Sequence, residues 1–180
     1  AKAKPEPFSF LYFGDAQNSI LSFWSRIIRA AYKKAPHAAF SIHAGDLVNS
    51  AHKDREWAEW FKAGGWIHSS VPSIPVSGNH EYSGLKINGK DKGNQLAIQW
   101  RSQFTLPEAA GLPASLAETV YTLDYQGVRI IALNSNREVE AQAKWLDTVL
   151  AKNPCKWTVV TMHHPMFSSG SGRDNAKNRK

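Results

Sequence analysis

Cysteine is nearly absent from this chain of 180 residues, which contains only Cys155. A single cysteine excludes an internal disulfide and any metal site built from several thiolates. Long hydrophobic runs are also lacking, since no apolar stretch approaches the roughly 20 residues that a membrane-spanning helix needs. No membrane partner is therefore expected.

Acidic residues are fewer than basic ones, 15 against 22, which gives a formal net charge of +7. Such an excess would suit an acidic or phosphorylated partner. The basic residues are spread along the chain and several fall in its last eight positions. The charge therefore supports nucleic-acid binding only weakly.

Short apolar runs alternate with segments of helical periodicity, which predicts an α/β fold. Strands are predicted over 8–13, 38–43, 71–76, 120–125, 128–133 and 156–162, and helices over 19–34, 54–61, 94–104 and 138–150. Gln126-Gly127 is typical of a hairpin turn. We expect residues 1–166 to form one domain, with a surface loop insertion over 84–113, and residues 167–180 to be a flexible loop or tail.

Polar clusters follow four of the predicted strands. They are Gly14-Asp15, Gly45-Asp46, Gly78-Asn79-His80-Glu81 and His163-His164-Pro165. Ligands of open α/β sheets bind beyond the carboxyl ends of the strands. Carboxylates, an amide oxygen and imidazoles together suit zinc, manganese or iron, although Gly-Asp and Gly-Asn pairs are also common where a strand simply ends.

These four motifs, in this order, resemble the signature of the calcineurin-like metallophosphoesterase superfamily, and the run from Tyr121 to Asn134 is similar to a hairpin of its purple acid phosphatase-like members. The resemblance implies a layered β-sheet sandwich flanked by helices and a centre of two divalent or trivalent metal ions. By the family pattern Asp15 binds the first metal, Asp46 bridges both, and Asn79 and His163 bind the second. His80 would be the catalytic residue, facing the phosphate as an acid or as a stabiliser of the transition state.

Three departures from the family pattern change these expectations. The closing Gly-His-x-His motif is not in these residues, so we expect the fold and the site to be incomplete at the C-terminus. Asn49 stands where purple acid phosphatases have an iron-binding tyrosine, and Gln17 stands where many relatives have a histidine. Either amide could donate a metal ligand instead. His164 is a further candidate, facing the substrate or merely exposed, and Glu81 either orients a neighbour or is solvated.

The leading functional prediction is a hydrolase of phosphate esters on phosphorylated small molecules, acting through a metal-bridging hydroxide. One alternative is a nucleotide or nucleic-acid phosphodiesterase. Another is a metal-binding or basic interaction module without catalysis. The polar start over residues 1–7 is compatible with a secretory or periplasmic protein, but it leaves localisation open.

Overall fold

The computed structural model of the chain describes residues 4–82, 86–88, 90–91 and 93–175. Contacts between Cα atoms divide them into two compact units. One unit is residues 8–104, and the other joins residues 4–7 to residues 105–175. The expectation of one domain over residues 1–166 remains a prediction, and the ends of the chain at 1–3 and 176–180 lie outside the described residues.

A parallel sheet of three strands is the centre of the unit formed by residues 8–104. Its strands are β1 (Leu11–Phe13), β2 (Ser41–Ala44) and β3 (Ser73–Val76), in that order. Tyr12 lies opposite Ile42, and Ile42 lies opposite Ile74. All four residues of β2 are buried, as expected of a central strand that is covered on both faces.

Helices supply the rest of the apolar interior of this unit. They are α1 (Trp24–Lys34), α2 (Asp54–Gly64), α3 (Trp66–Ser70) and α4 (Ile98–Gln103). Two very short strands, β4 (Lys86–Ile87) and β5 (Lys90–Asp91), pair antiparallel within the predicted loop insertion. Trp57 and Trp60 are three residues apart on one face of α2 and are both buried. Both tryptophans therefore belong to the apolar interior of this unit.

The second unit has a mixed sheet of β6 (Tyr121–Tyr125), β7 (Val128–Ala132) and β8 (Trp157–Thr161). Antiparallel β6 and β7 form the predicted hairpin, whereas β8 runs parallel to β7 after the helix α5 (Val139–Ala151). Its buried core contains Leu116, Val120, Ile131 and Leu133, against which the α5 residues Trp145, Leu146 and Val149 pack. The predicted α/β fold is confirmed.

Among the described residues, no helix is both long enough and apolar enough to cross a membrane.

Candidate metal centre

The carboxyl ends of three parallel strands carry the first three predicted metal ligands. Asp15, Asp46 and Asn79 follow β1, β2 and β3 within three residues. Carboxylate oxygens of Asp15 and Asp46 lie within 4.8 Å of each other. The backbone N–H of Asp15 donates to the carbonyl of Gly45 at 3.2 Å, and that of Gln17 donates to the carbonyl of Asp46 at 3.1 Å. The parallel sheet therefore brings two predicted ligands together.

Both aspartates adopt a backbone conformation that L residues rarely use. Their φ angles are +51° at Asp15 and +53° at Asp46, in the left-handed region that Asp and Asn tolerate better than most residues. Asp15 is exposed, whereas Asp46 is only 2% exposed. Strained residues persist where their surroundings hold them, and they are concentrated at functional sites.

Protein donors hold both oxygens of the buried Asp46 carboxylate. Its Oδ1 accepts the backbone N–H of His80 at 2.9 Å, and its Oδ2 accepts Nε2 of Gln17 at 3.0 Å. His80 Nε2 lies 3.8 Å from the same Oδ2. A buried carboxylate needs such donors or a bound cation, so the carboxylate is fixed in position for a ligand role.

The amide of Gln17 provides a test of whether a cation fits here. Its Oε1 is buried and accepts no hydrogen bond from the described residues. An unsatisfied buried amide oxygen costs about 1–3 kcal/mol, and carboxylate and amide oxygens are suitable ligands for manganese or zinc. A metal ion bound at Oε1 would remove that cost, so the amide oxygen of Gln17 and the carboxylate of Asp46 form a donor set that fits a bound cation.

His80 is attached to the loop after β2 through its ring. Nδ1 of His80 lies 2.7 Å from the backbone carbonyl of Asn49. Because a carbonyl oxygen only accepts, Nδ1 carries the hydrogen, and any second proton on the ring binds at Nε2. Asn79, just before it, is exposed and begins the short 3₁₀ turn His80–Tyr82, with its carbonyl accepting the N–H of Tyr82 at 3.1 Å.

Glu81 is fully buried, which excludes the solvated alternative for this residue. Its carboxylate accepts backbone N–H groups of Gly78 at 2.7 Å, Asp46 at 2.9 Å and Leu47 at 3.0 Å. Burial, together with the charge of Asp46, raises the pKa of Glu81 to about 7, while the three N–H groups oppose that shift. From the sequence alone, Glu81 was an acidic residue on a predicted loop, and nothing in the pattern indicated that it would be buried.

In the unit containing residues 105–175, His163 and His164 follow β8 and are half-buried. Ser135 Oγ accepts the backbone N–H of His164 at 3.0 Å and lies 2.8 Å from its Nδ1. The rings of His163 and His164 meet nearly edge to face, with centroids 4.8 Å apart. Ser135 therefore fixes His164, a role that no motif in the sequence indicated.

The sequence model of the calcineurin-like phosphoesterase family matches residues 8–179. The chain belongs to the calcineurin-like phosphoesterase family. Among solved structures, a purple acid phosphatase from yellow lupin (Lupinus luteus) seeds is similar with a TM-score of 0.69 and 20% sequence identity. The similarity covers 99% of this chain and 36% of that chain. A search of curated proteins found no match.

The family match decides two of the expectations for this calcineurin-like phosphoesterase. The predicted family resemblance is confirmed, and the fold is that of a metallophosphoesterase. Members of this family are generally hydrolases of phosphate esters with two metal ions. The chain spans about a third of the length of the lupin phosphatase.

Proposed function

We propose that this phosphoesterase chain contributes metal ligands and a catalytic histidine to the hydrolysis of phosphate esters on small phosphorylated molecules. The observation that supports the proposal most directly is the pair of carboxylates, Asp15 and Asp46, within 4.8 Å of each other at the edge of a parallel sheet. The buried, unsatisfied Oε1 of Gln17 beside them supports a cation at the same place.

The proposed metal ligands follow the ends of strands. Asp15, Asp46 and Asn79 are proposed from the ends of β1 to β3, and His163, after β8, is proposed from the family pattern. Gln17 is proposed as an additional oxygen donor, and Asn49 and His164 remain further candidates. Two zinc, manganese or iron ions bound by these residues would supply an activated water and would stabilise the charge on the phosphoryl oxygens.

His80 is proposed to protonate the leaving group or to donate a hydrogen bond to a phosphate oxygen. Its Nδ1–H is fixed by the carbonyl of Asn49, so Nε2 is the nitrogen that exchanges a proton with the substrate. Its side chain is 29% exposed, which leaves room for contact with a bound molecule. A positioned proton donor of this kind contributes about a hundred-fold to ten-thousand-fold in rate.

A polar cavity of about 290 Å³ is the proposed place for part of the substrate. Asn18 and Asn49 line it. Asn18 follows Gln17 in the sequence, and the carbonyl of Asn49 contacts the ring of His80. Lys53 and Arg55 also line it, but each pairs with a glutamate, at 3.6 Å to Glu56 and 2.9 Å to Glu59. The cavity therefore offers amides and paired charges, which suits a polar leaving group better than a polyanion.

The test is the metal content of the purified chain after incubation with zinc, manganese or iron, for the wild type and for Asp46→Asn. We expect about two ions in the wild type and at least one fewer in Asp46→Asn, because the bridging carboxylate is proposed to bind both. Asp147→Asn removes an exposed aspartate from α5 and is the matched control. Equal metal content in the wild type and Asp46→Asn would contradict the proposal.

Release of phosphate from mono- and diester substrates tests the reaction class on the same proteins. We expect turnover that depends on added metal and is lost in Asp46→Asn. The ratio of monoester to diester activity separates a phosphatase from a nucleotide or nucleic-acid phosphodiesterase. Metal binding without turnover on either substrate would favour a non-catalytic module.

A further inference from the structure

Glu81 lies where the loops after β2 and β3 meet. Its Oε2 accepts from the N–H of Gly78, after β3, and from the N–H of Asp46, after β2. Its Oε1 accepts from Leu47 at 3.0 Å. One fully buried side chain thus joins both loops by three hydrogen bonds to main-chain donors.

Asp46 returns a hydrogen bond across the same junction. Its Oδ1 accepts the N–H of His80, the residue next to Glu81. Glu81 therefore holds the backbone of Asp46, and the side chain of Asp46 holds the backbone of His80. The arrangement is closed, so a shift of either loop breaks bonds at both.

The three hydrogen bonds stabilise the junction, but they also place a second carboxylate next to Asp46. Glu81 and Asp46 are both buried carboxylates at one junction, and like charges that are close together in a buried place repel. A cation bound by Asp46 would offset that repulsion, whereas the metal-free protein bears it. This balance is the one expected when a residue serves a charged ligand at some cost to the unliganded fold.

We propose that Glu81 is a positioning residue for the metal centre, which holds Asp46 and the Asn79–His80 segment in the metal-binding arrangement before any ion binds. The inference rests on the proposed function for the identity of the ligands. Beyond that function, Glu81 is proposed to raise the affinity for the metal ions although it does not contact them.

Glu81→Gln is the first test. One oxygen can still accept from Asp46 and Gly78, but the amide NH₂ then faces the N–H of Leu47, so the junction loses its third bond. We expect the affinity for Zn²⁺ or Mn²⁺ alone, measured by isothermal titration calorimetry, to fall about 10- to 100-fold. The urea midpoint of the metal-free protein should change much less, because relief of the repulsion from Asp46 offsets the lost bond. Glu140→Gln, an exposed glutamate on α5, is the control.

Amide hydrogen exchange of Asp46, Leu47 and Gly78 in the metal-free protein is the second readout. We expect faster exchange at these three amides in Glu81→Gln and unchanged exchange in β6 and β7. If Glu81→Gln does not fold, Glu81→Asp replaces it, since aspartate keeps the charge but is one methylene too short to reach both loops. Wild-type affinity and wild-type exchange in a folded variant would overturn the positioning role.

The two proposals fail in different ways. Should the wild type bind no ions, the proposed metal centre is wrong, yet the exchange rates still report whether Glu81 holds the two loops together. Should the wild type bind ions and Glu81→Gln bind them equally well, the metal centre stands and the positioning role is wrong.

Discussion

Close approach at Gly78 restricts which side chains can stand next to Asp46. A Cβ atom at position 78 would overlap Oδ1, Cγ and the backbone N of Asp46, which are rigid or buried. Glycine is therefore required here for space. Position 45 requires it for another reason, since Gly45 has a φ of +85° and precedes a second left-handed residue, Asp46.

Gly78→Ala should destabilise the protein by about 1–3 kcal/mol, because the added methyl group forces the loop after β3 away from Asp46. The same shift should weaken Zn²⁺ binding. Urea denaturation of the metal-free protein and calorimetric titration with Zn²⁺ measure the two effects. Gly14→Ala is the matched control, since a Cβ there meets no atom within 4 Å. An unchanged urea midpoint in Gly78→Ala would show that the loop accommodates the methyl group without loss of stability.

At the scale of elements, α5 is tied to the end of β7 by one buried side chain. Gln142 is 3% exposed. Its Oε1 accepts the N–H of Asn134 at 2.8 Å, and its Nε2 donates to the carbonyls of Asn134 at 2.7 Å and Arg137 at 2.6 Å. Gln142, in the helix, thus satisfies main-chain groups of Asn134 and Arg137 in the turn between β7 and α5.

Gln142→Leu gives an apolar side chain of similar size and removes all three hydrogen bonds. The N–H and carbonyl groups of Asn134 then lose the side chain of Gln142 as a partner in a buried position, so the free energy of unfolding should fall by about 2 kcal/mol. Urea denaturation measures this change. Gln103→Leu, at an exposed glutamine in α4, is the control. A loss below about 0.5 kcal/mol would indicate that water replaces the side chain at these groups.

The accuracy of the sequence-based predictions also differs from element to element. The hairpin was predicted to within one residue, because Gln126 and Gly127, with φ angles of +48° and +78°, form the turn that its strands require. The helix predicted from Ser19 begins only at Trp24, since Asn18 and Ser19 have φ angles of +64° and +47°. The helix α3 was not predicted, because five residues are too few to show a period.

For the candidate site, the sequence predicted which residues follow the strands but not what holds them. Asp15, Asp46 and Asn79 were placed by local patterns, since each comes after an apolar run. The buried position of Glu81 depends on donors 34 and 35 residues earlier in the chain. No local pattern carries that information, so the link between the two loops required the structure.

At the scale of the whole molecule, the response to acid should depend on two histidines, His43, which is buried, and His68, which is half-buried. His43, in β2, is 2% exposed and lies among Phe13, Trp24 and Trp60, with the ring of His68 at 5.7 Å. Burial, together with the charge of His68, lowers the pKa of His43 to about 3. Burial lowers the pKa of His68 to about 4. Protonation of either ring in this apolar cluster is costly.

The folded pKa of His43 is lower than the unfolded value of 6.5, so between about pH 6.5 and pH 3 the unfolded chain binds more protons than the folded one. Stability therefore falls as the pH drops through that window, by about 2 kcal/mol from this one residue between pH 7 and pH 5. His43→Leu, which introduces an apolar side chain of similar size that does not titrate, should lose less stability between those two pH values than the wild type. Urea denaturation of metal-free protein at pH 7 and pH 5 measures the difference, and His37→Gln, which removes an exposed histidine, is the control. An equal loss in the wild type and His43→Leu would mean that His43 takes up its proton without unfolding, and that the apolar cluster opens to water in the folded protein.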